Sequence, residues 1–197
     1  MPVLRGASLK RKNEMDLKLV LSGIGGQGVL FATSIFSETA LALGLNVLGS
    51  ETHGMSQRGG SVISHLKIGA YESPLVRQGT ADVLLAFDED EAYRTLGFLK
   101  RGGLCFVNSA RGDSWAEAVK GYLSSSGIAA HSFPADEVAL SLGSARSANL
   151  VLIGCALSVP GLPFQPEQIG ETIQRISPPR FSELNKRAFE AGLRREQ

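Results

Sequence analysis

Cysteine is scarce in this 197-residue chain: Cys105 and Cys155 are the only two, and they form no C-x-x-C pair. A disulfide framework is not expected at this size, and a cytoplasmic setting is the expectation that follows. Two cysteines also cannot supply the four thiolates of an ordinary iron–sulfur cluster, so this chain holds none alone. An excess of charge of one sign is missing too: 20 Lys and Arg stand against 19 Asp and Glu, a net charge of +1. That balance leaves no electrostatic footprint for nucleic acid, and no nucleic-acid-binding motif occurs. No apolar run reaches the roughly 18–20 residues of a membrane helix. The three histidines, His53, His65 and His131, are scattered, without an H-E-x-x-H pattern or a nucleophile elbow. A self-contained hydrolase is therefore unsupported. The N-terminus, MPVLRGASLKRKNE, is basic but lacks the apolar core of a signal peptide. Residues 1–15 read as a disordered leader with Met15 as an alternative start, and residues 16–197 as one domain.

What is present is an alternation of strand and helix patterns, which predicts a single α/β domain of Rossmann-like, three-layer form with a mainly parallel sheet. Leu17 to Gly28, reading LKLVLSGIGGQG, is an apolar run that breaks into a glycine-rich turn and opens into a helical pattern from Val29 to Leu43. Asn46 to Ser50 and Ser61 to Ile68 read as the next two strands. In the second of these, Val62, Ser64, Leu66 and Ile68 lie on one face, and Ile63, His65 and Lys67 on the other. Only Glu51 to Gly60 separates the two, too few residues for a helical crossover, so an antiparallel excursion is expected there. Val83 to Phe87 and Leu104 to Val107 read as buried strands, with Arg101-Gly102-Gly103 as a turn before the second. Ile128 to Phe133 reads as an edge strand. Helices are expected from Trp115 to Leu123, Asp136 to Leu142 and Ala148 to Val159. Two more follow, one begun by Pro166 and one from Ser182 to Leu193.

Two constellations carry chemistry. Gly23, Gly25 and Gly28 have G-x-G-x-x-G spacing, with Gly26 and Gln27 adding a further glycine and an amide at the helix start. A strand–glycine turn–helix places free backbone N–H groups and a positive dipole end at one spot, which suits a phosphate, a carboxylate or another electron-rich edge. Glu51, 23 residues beyond Gly28, stands roughly where an acid would meet a ribose, although the crossover helix of a regular dinucleotide half is missing. Glycines that serve only tight helix–strand packing are the plainer alternative. The second constellation is Glu51-Thr52-His53-Gly54-Met55-Ser56-Gln57-Arg58-Gly59-Gly60. A loop this dense in polar groups usually carries function. Glu51, His53, Ser56, Gln57, Arg58, Gly59 and Gly60 are its candidate contacts, with Arg58 able to offer a planar, bidentate fork. Asp88-Glu89-Asp90-Glu91 reads as an acidic helix start favoured by the dipole, with a metal site as the alternative. No residue is assigned a catalytic role and none a metal.

At these residues the chain resembles the gamma-type subunit or domain of 2-oxoacid:ferredoxin oxidoreductases, and within that family the small (beta) subunits of the indolepyruvate branch. The resemblance rests on GIGGQGV at Gly23 to Val29 and HGMSQRGGSVISH at His53 to His65. ANLVLIG at Ala148 to Gly154 and ELNKRAFEAG at Glu183 to Gly192 complete it. Pyruvate-type relatives look more like G-x-E-R-R-G-A at the second place. The resemblance implies a hetero-oligomer that oxidatively decarboxylates an arylpyruvate such as indolepyruvate to an acyl-CoA and reduces ferredoxin. It also implies that thiamine diphosphate and the iron–sulfur clusters sit in a large partner subunit. The present chain would then complete the assembly and shape the region that coenzyme A approaches. No thiamine-binding GDG…NN pattern occurs here. A free-standing dinucleotide-binding enzyme and a purely structural interaction module remain the competing readings.

Overall fold

The computed structural model describes residues 15–53, 59–112 and 115–194. Its sheet has six strands: β1 (Leu17–Ile24), β2 (Val47–His53), β3 (Ser61–Ile68), β4 (Ala81–Ala86), β5 (Leu99–Asn108) and β6 (Ala129–Phe133). They lie in the order β2-β3-β1-β4-β5-β6. β1, β4, β5 and β6 run parallel, and β3 is antiparallel to both β1 and β2. The antiparallel excursion forms as the short Glu51–Gly60 spacing requires, because a hairpin needs no crossover helix.

Alternation along each strand sorts the core into two layers. Leu19 and Leu21 of β1, Val83 and Leu85 of β4 and Phe106 of β5 face one side. They are covered by α1 (Val29–Ala42), α4 (Ala135–Ser141), α5 (Ala148–Ser158), α6 (Pro166–Ile176) and α7 (Ser182–Leu193). Val20, Leu84, Ala86, Cys105 and Val107 face the other side. There α2 (Glu89–Thr95) and α3 (Glu117–Ser126) cover them. Both faces of the central strands are dry, which is why Val83 to Phe87 carries no polar alternation. α5 is buried from Asn149 through Ala156 and is accordingly apolar all round. Ala148 to Val159 thus reads as a helix from composition rather than from amphipathic period. Pro166 takes the first turn of α6, where its missing N–H costs nothing.

The element boundaries differ most from the sequence reading at β2, β5 and α3. β2 continues past Ser50 through Glu51, Thr52 and His53, whose backbones pair with Ser64, Ile63 and Val62. Glu51 is therefore a strand residue and not the start of a loop. β5 begins at Leu99, five residues before the expected strand. Its register against β4 jumps between the Ala81–Leu99 and Val83–Leu104 pairs, so the stretch read as a turn is a bulge inside the strand. Gly102, at φ 72°, supplies the bend. α3 begins at Glu117, after Trp115 has entered the second core layer. Met15, placed with the leader in the sequence reading, packs against the first layer. The rest of that leader, residues 1–14, lies outside the described residues. Among the described residues no helix is long and apolar enough to cross a membrane.

Candidate functional site

The glycine turn sits where chain direction diverges across the sheet. From β1 the chain passes through α1 to the β2–β3 side, whereas from β4 it passes through α2 to β5 on the other. In open α/β sheets, ligands occupy the crevice outside the strand carboxyl ends at such a switch point. A cavity of about 240 Å³ lies there. Gly26 and Gln27 after β1, Phe87 after β4 and Asn108 at the end of β5 line it, with Asp136, Arg146 and Asn149 from the helical layer.

Each glycine of the turn has its own reason. A Cβ on Gly23 would stand 2.8 Å from Gln27 Oε1 and 3.2 Å from Phe87 Cβ, and one on Gly28 would run into Asn149 Nδ2. These two positions serve close packing. Gly26 differs: its φ of 108° excludes most side chains, yet nothing lies within 4 Å of an added Cβ. Its openness faces the crevice. Gln27 is not the free amide that the sequence suggests, because its Oε1 accepts a 2.7 Å hydrogen bond from the Ile24 N–H. That bond closes the turn. Gly28 is the N-cap of α1 in the left-handed region, without a side-chain cap and with no acid in the first turn. The first-turn amides and the positive dipole end of such a helix suit an external acceptor.

The second constellation meets the first through backbone. The Gly25 N–H donates to Gly60 O at 2.9 Å, so the exit of the polar loop is stitched to the glycine turn. The two do not rise from neighbouring strands, since β3 lies between β1 and β2. Gly59, at φ 81°, has open space around it. Glu51 lines a separate groove of about 420 Å³ between α1 and β2, so it does not belong to the crevice. His53 pairs with Val62 through its backbone. Its side chain, and all of Gly54, Met55, Ser56, Gln57 and Arg58, fall outside the described residues.

Four crevice residues escape sequence reading. Asn108 Nδ2 donates to Phe87 O at 3.2 Å and to Asp136 Oδ2 at 2.8 Å, and the Asp136 N–H returns a bond to Asn108 Oδ1. This reciprocal pair fixes the floor between β5 and α4. Asn149 Nδ2 donates to Gly28 O at 3.1 Å and ties α5 to the start of α1. Arg146 is exposed on the rim and supplies a cation. Asn108 had a usable signal as the first polar residue after an apolar strand; Asn149 is the second residue of the ANLVLIG motif. The acidic run resolves differently: Asp88 Oδ1 accepts from the Asp90 and Glu91 N–H groups and caps α2. Among the described residues no group of three or more His, Cys, Asp and Glu is placed to hold a metal.

The remaining titratable groups are built for packing. Cys105 and Cys155 are both buried, and burial pushes the Cys105 thiol up to about 12, which keeps it protonated and inert. His65 is buried edge-on to Phe98 at 5.2 Å, and its Nδ1 has no hydrogen-bond partner. Loss of solvent, followed by the neighbouring Lys67 charge, lowers its pKa. His131 stacks on Phe106 at 5.4 Å, and burial lowers its pKa as well. Because folding lowers both values, the unfolded chain binds more protons once pH drops below the ordinary histidine value of about 6.5. The histidine contribution to stability is therefore complete above that value and is lost as pH falls toward the folded pKa values. The His65 and His131 imidazole resonances of the folded chain should titrate below pH 6.5, with urea midpoints falling over the same range. Midpoints above 6.5 would contradict this assignment.

The family model for pyruvate ferredoxin/flavodoxin oxidoreductase matches residues 18–195. Indolepyruvate oxidoreductase subunit IorB of Thermococcus kodakarensis is 36% identical over 91% of this chain and 95% of its own length. The same subunit of Pyrococcus horikoshii is 33% identical over 91% and 95%. Among solved structures, the gamma subunit of a keto/oxoacid ferredoxin oxidoreductase from Geobacter sulfurreducens superposes with a TM-score of 0.68. It is 25% identical and covers 89% of this chain and 95% of that one.

Proposed function

The chain belongs to the pyruvate ferredoxin/flavodoxin oxidoreductase family, and from that membership we propose that it is the small subunit of an indolepyruvate:ferredoxin oxidoreductase. The complex decarboxylates a 2-oxoacid oxidatively, passes the acyl group to coenzyme A and the two electrons to ferredoxin. The observation that carries this reading is the 36% identity to an indolepyruvate oxidoreductase subunit across nearly the full length of both chains. Arylpyruvates are the preferred acids on the same ground. The fold agrees with that over a free-standing dinucleotide enzyme. An antiparallel hairpin replaces the second βαβ unit of a dinucleotide half, and Glu51 lies on a groove away from the crevice.

This chain's residues do not fit the redox cofactors of such a complex. Cys105 lies in β5 and Cys155 in α5, on opposite faces of the sheet and both buried, so they cannot share a cluster. Thiamine diphosphate and the iron–sulfur clusters are assigned to a large partner subunit, and the assembly to the cytoplasm. The role left for this chain is to bind and to position. The open amides at Gly28 and the Arg146 cation suit the phosphates of coenzyme A, or a carboxylate or backbone edge of the partner. The loop from His53 to Gly60 supplies the adjoining contacts, with Arg58 as its strongest donor. Co-expression with the large subunit, followed by assay over a panel of 2-oxoacids, tests the proposal. Coenzyme A-dependent ferredoxin reduction fastest with indolepyruvate is expected, and a complex inert toward every 2-oxoacid would sink it.

Gly26→Val separates this reading from a packing role. A side chain at φ 108° adds strain of about 1–3 kcal/mol, but it meets no neighbour, so the fold survives. Binding of the partner or of coenzyme A should fall at least tenfold, beyond what the stability change explains. Thermal melts beside binding isotherms measure both, and losses in strict proportion would return Gly26 to packing.

A further inference from the structure

Asp88, Glu89 and Asp90 stand at the solvent-facing start of α2, whereas Glu91 turns inward and is 2% exposed. Stripping a carboxylate of water is costly and persists only where other groups replace that water. Here they do. Glu91 Oε2 accepts a 2.6 Å hydrogen bond from Ser61 Oγ, and Oε1 accepts one of 2.6 Å from Arg94 Nη1, whose side chain is otherwise largely exposed. Capping of α2 does not need this residue's carboxylate, since Asp88 already provides the cap. An apolar residue would fill the space without the desolvation cost.

The position of Ser61 gives the arrangement its use. It is the first residue of β3, directly after the polar loop, and it pairs across the sheet with Ile24 at the end of β1. Its neighbour Gly60 accepts the hydrogen bond from Gly25 in the glycine turn. The same helix also meets β1, where Thr95 Oγ1, which donates to Glu91 O, lies 2.9 Å from Ser22 Oγ. We infer that Glu91 is a positioning residue which, through Ser61, fixes the loop exit at Gly59 to Ser61 against the glycine turn in one geometry for partner and acyl acceptor. The inference about engagement rests on the small-subunit reading above; the clamp itself rests on the geometry of this chain.

Three variants test it in the full chain and in the complex with the large subunit. Ser61→Ala leaves the buried Glu91 carboxylate one donor short and should lower the melting temperature by about 3–8 °C, while amide exchange at Gly25 and Val62 speeds at least tenfold more than at the amides of β4. In the complex it should raise KM for coenzyme A, or the partner Kd, about tenfold with kcat within twofold. Glu91→Gln should reproduce that pattern, and Ser61→Thr, which keeps the hydroxyl, should restore wild-type behaviour. Wild-type exchange in Ser61→Ala would overturn the proposal. So would a Ser61→Thr variant as defective as alanine, or losses that merely track melting temperature. If wild type fails to engage the large subunit, the small-subunit reading falls, while the exchange experiment on the isolated chain still decides the clamp.

Discussion

Gly192→Ala is expected to lower the melting temperature by about 10 °C, from a net loss of about 3 kcal/mol at roughly 2–4 °C per kcal/mol for a chain of this length. The cause is the crossing of α5 and α7. A Cβ on Gly192 would run into Val151 O and stand 2.9 Å from Cys155 N, while one on Gly154 would run into Phe189 O and stand 2.9 Å from Leu193 N. Both obstacles are backbone, which cannot rotate away, so the helices must separate and every contact beside the crossing is loosened. Alanine's better helix propensity returns only about 1 kcal/mol. Gly121, in α3, has open space around its Cβ position. Gly121→Ala should therefore stabilise by about 0.4–1 kcal/mol. Calorimetry on the two variants decides the matter, and a Gly192→Ala protein as stable as wild type would mean that the helices do not cross this closely.

Those glycines illustrate what a sequence shows and what it withholds. Gly154 and Gly192 fall inside motifs that carry the family resemblance, but only the crossing explains why no side chain fits. In the turn, Gly23, Gly26 and Gly28 look alike along the chain. The groups that separate them, Phe87 and Asn149, arrive from far away in sequence. The central strands were legible because both faces are covered and the apolar run is continuous. The early start of β5 was not, because Lys100 to Gly102 is exposed and glycine-bearing, and a bulge looks like a turn from sequence alone. The crevice was half legible. Its glycine side announces itself, whereas Asn108, Asp136 and Arg146 come together only when strand and helix ends converge. Glu91 could have been found by phase: with Ala92, Thr95 and Leu96 it forms the buried stripe of its helix. Its place in a run of four acids hid that.

Arg58→Ala is expected to weaken assembly or coenzyme A engagement by about 2–5 kcal/mol, which is roughly 30-fold to several-thousand-fold in affinity. The basis is chemical. A guanidinium next to Gly59-Gly60 in sequence is chemically able to form charge-assisted, planar, two-pronged bonds to a phosphate or a carboxylate, and the loop exit is anchored next to the glycine turn by the Gly25–Gly60 hydrogen bond. Arg58→Lys should not rescue, because lysine keeps the charge but loses the fork. Gln57→Ala, which removes a neutral amide from the same loop, should be milder. Partner affinity and coenzyme A-dependent turnover of the three variants provide the comparison. Near-wild-type behaviour of Arg58→Ala in both would reduce the loop to a solvated connection and leave the glycine turn as the sole contact.

Reconstitution from separated subunits tests the central claim most directly. This chain, purified alone, should be colourless, free of iron and sulfide, and without 2-oxoacid decarboxylation. The large subunit alone should carry the colour and reduce ferredoxin slowly or not at all with indolepyruvate and coenzyme A. Titrating this chain into it should raise turnover to a plateau at a fixed stoichiometry. A large subunit fully active by itself, or iron, sulfide or decarboxylation found in this chain alone, would contradict the account.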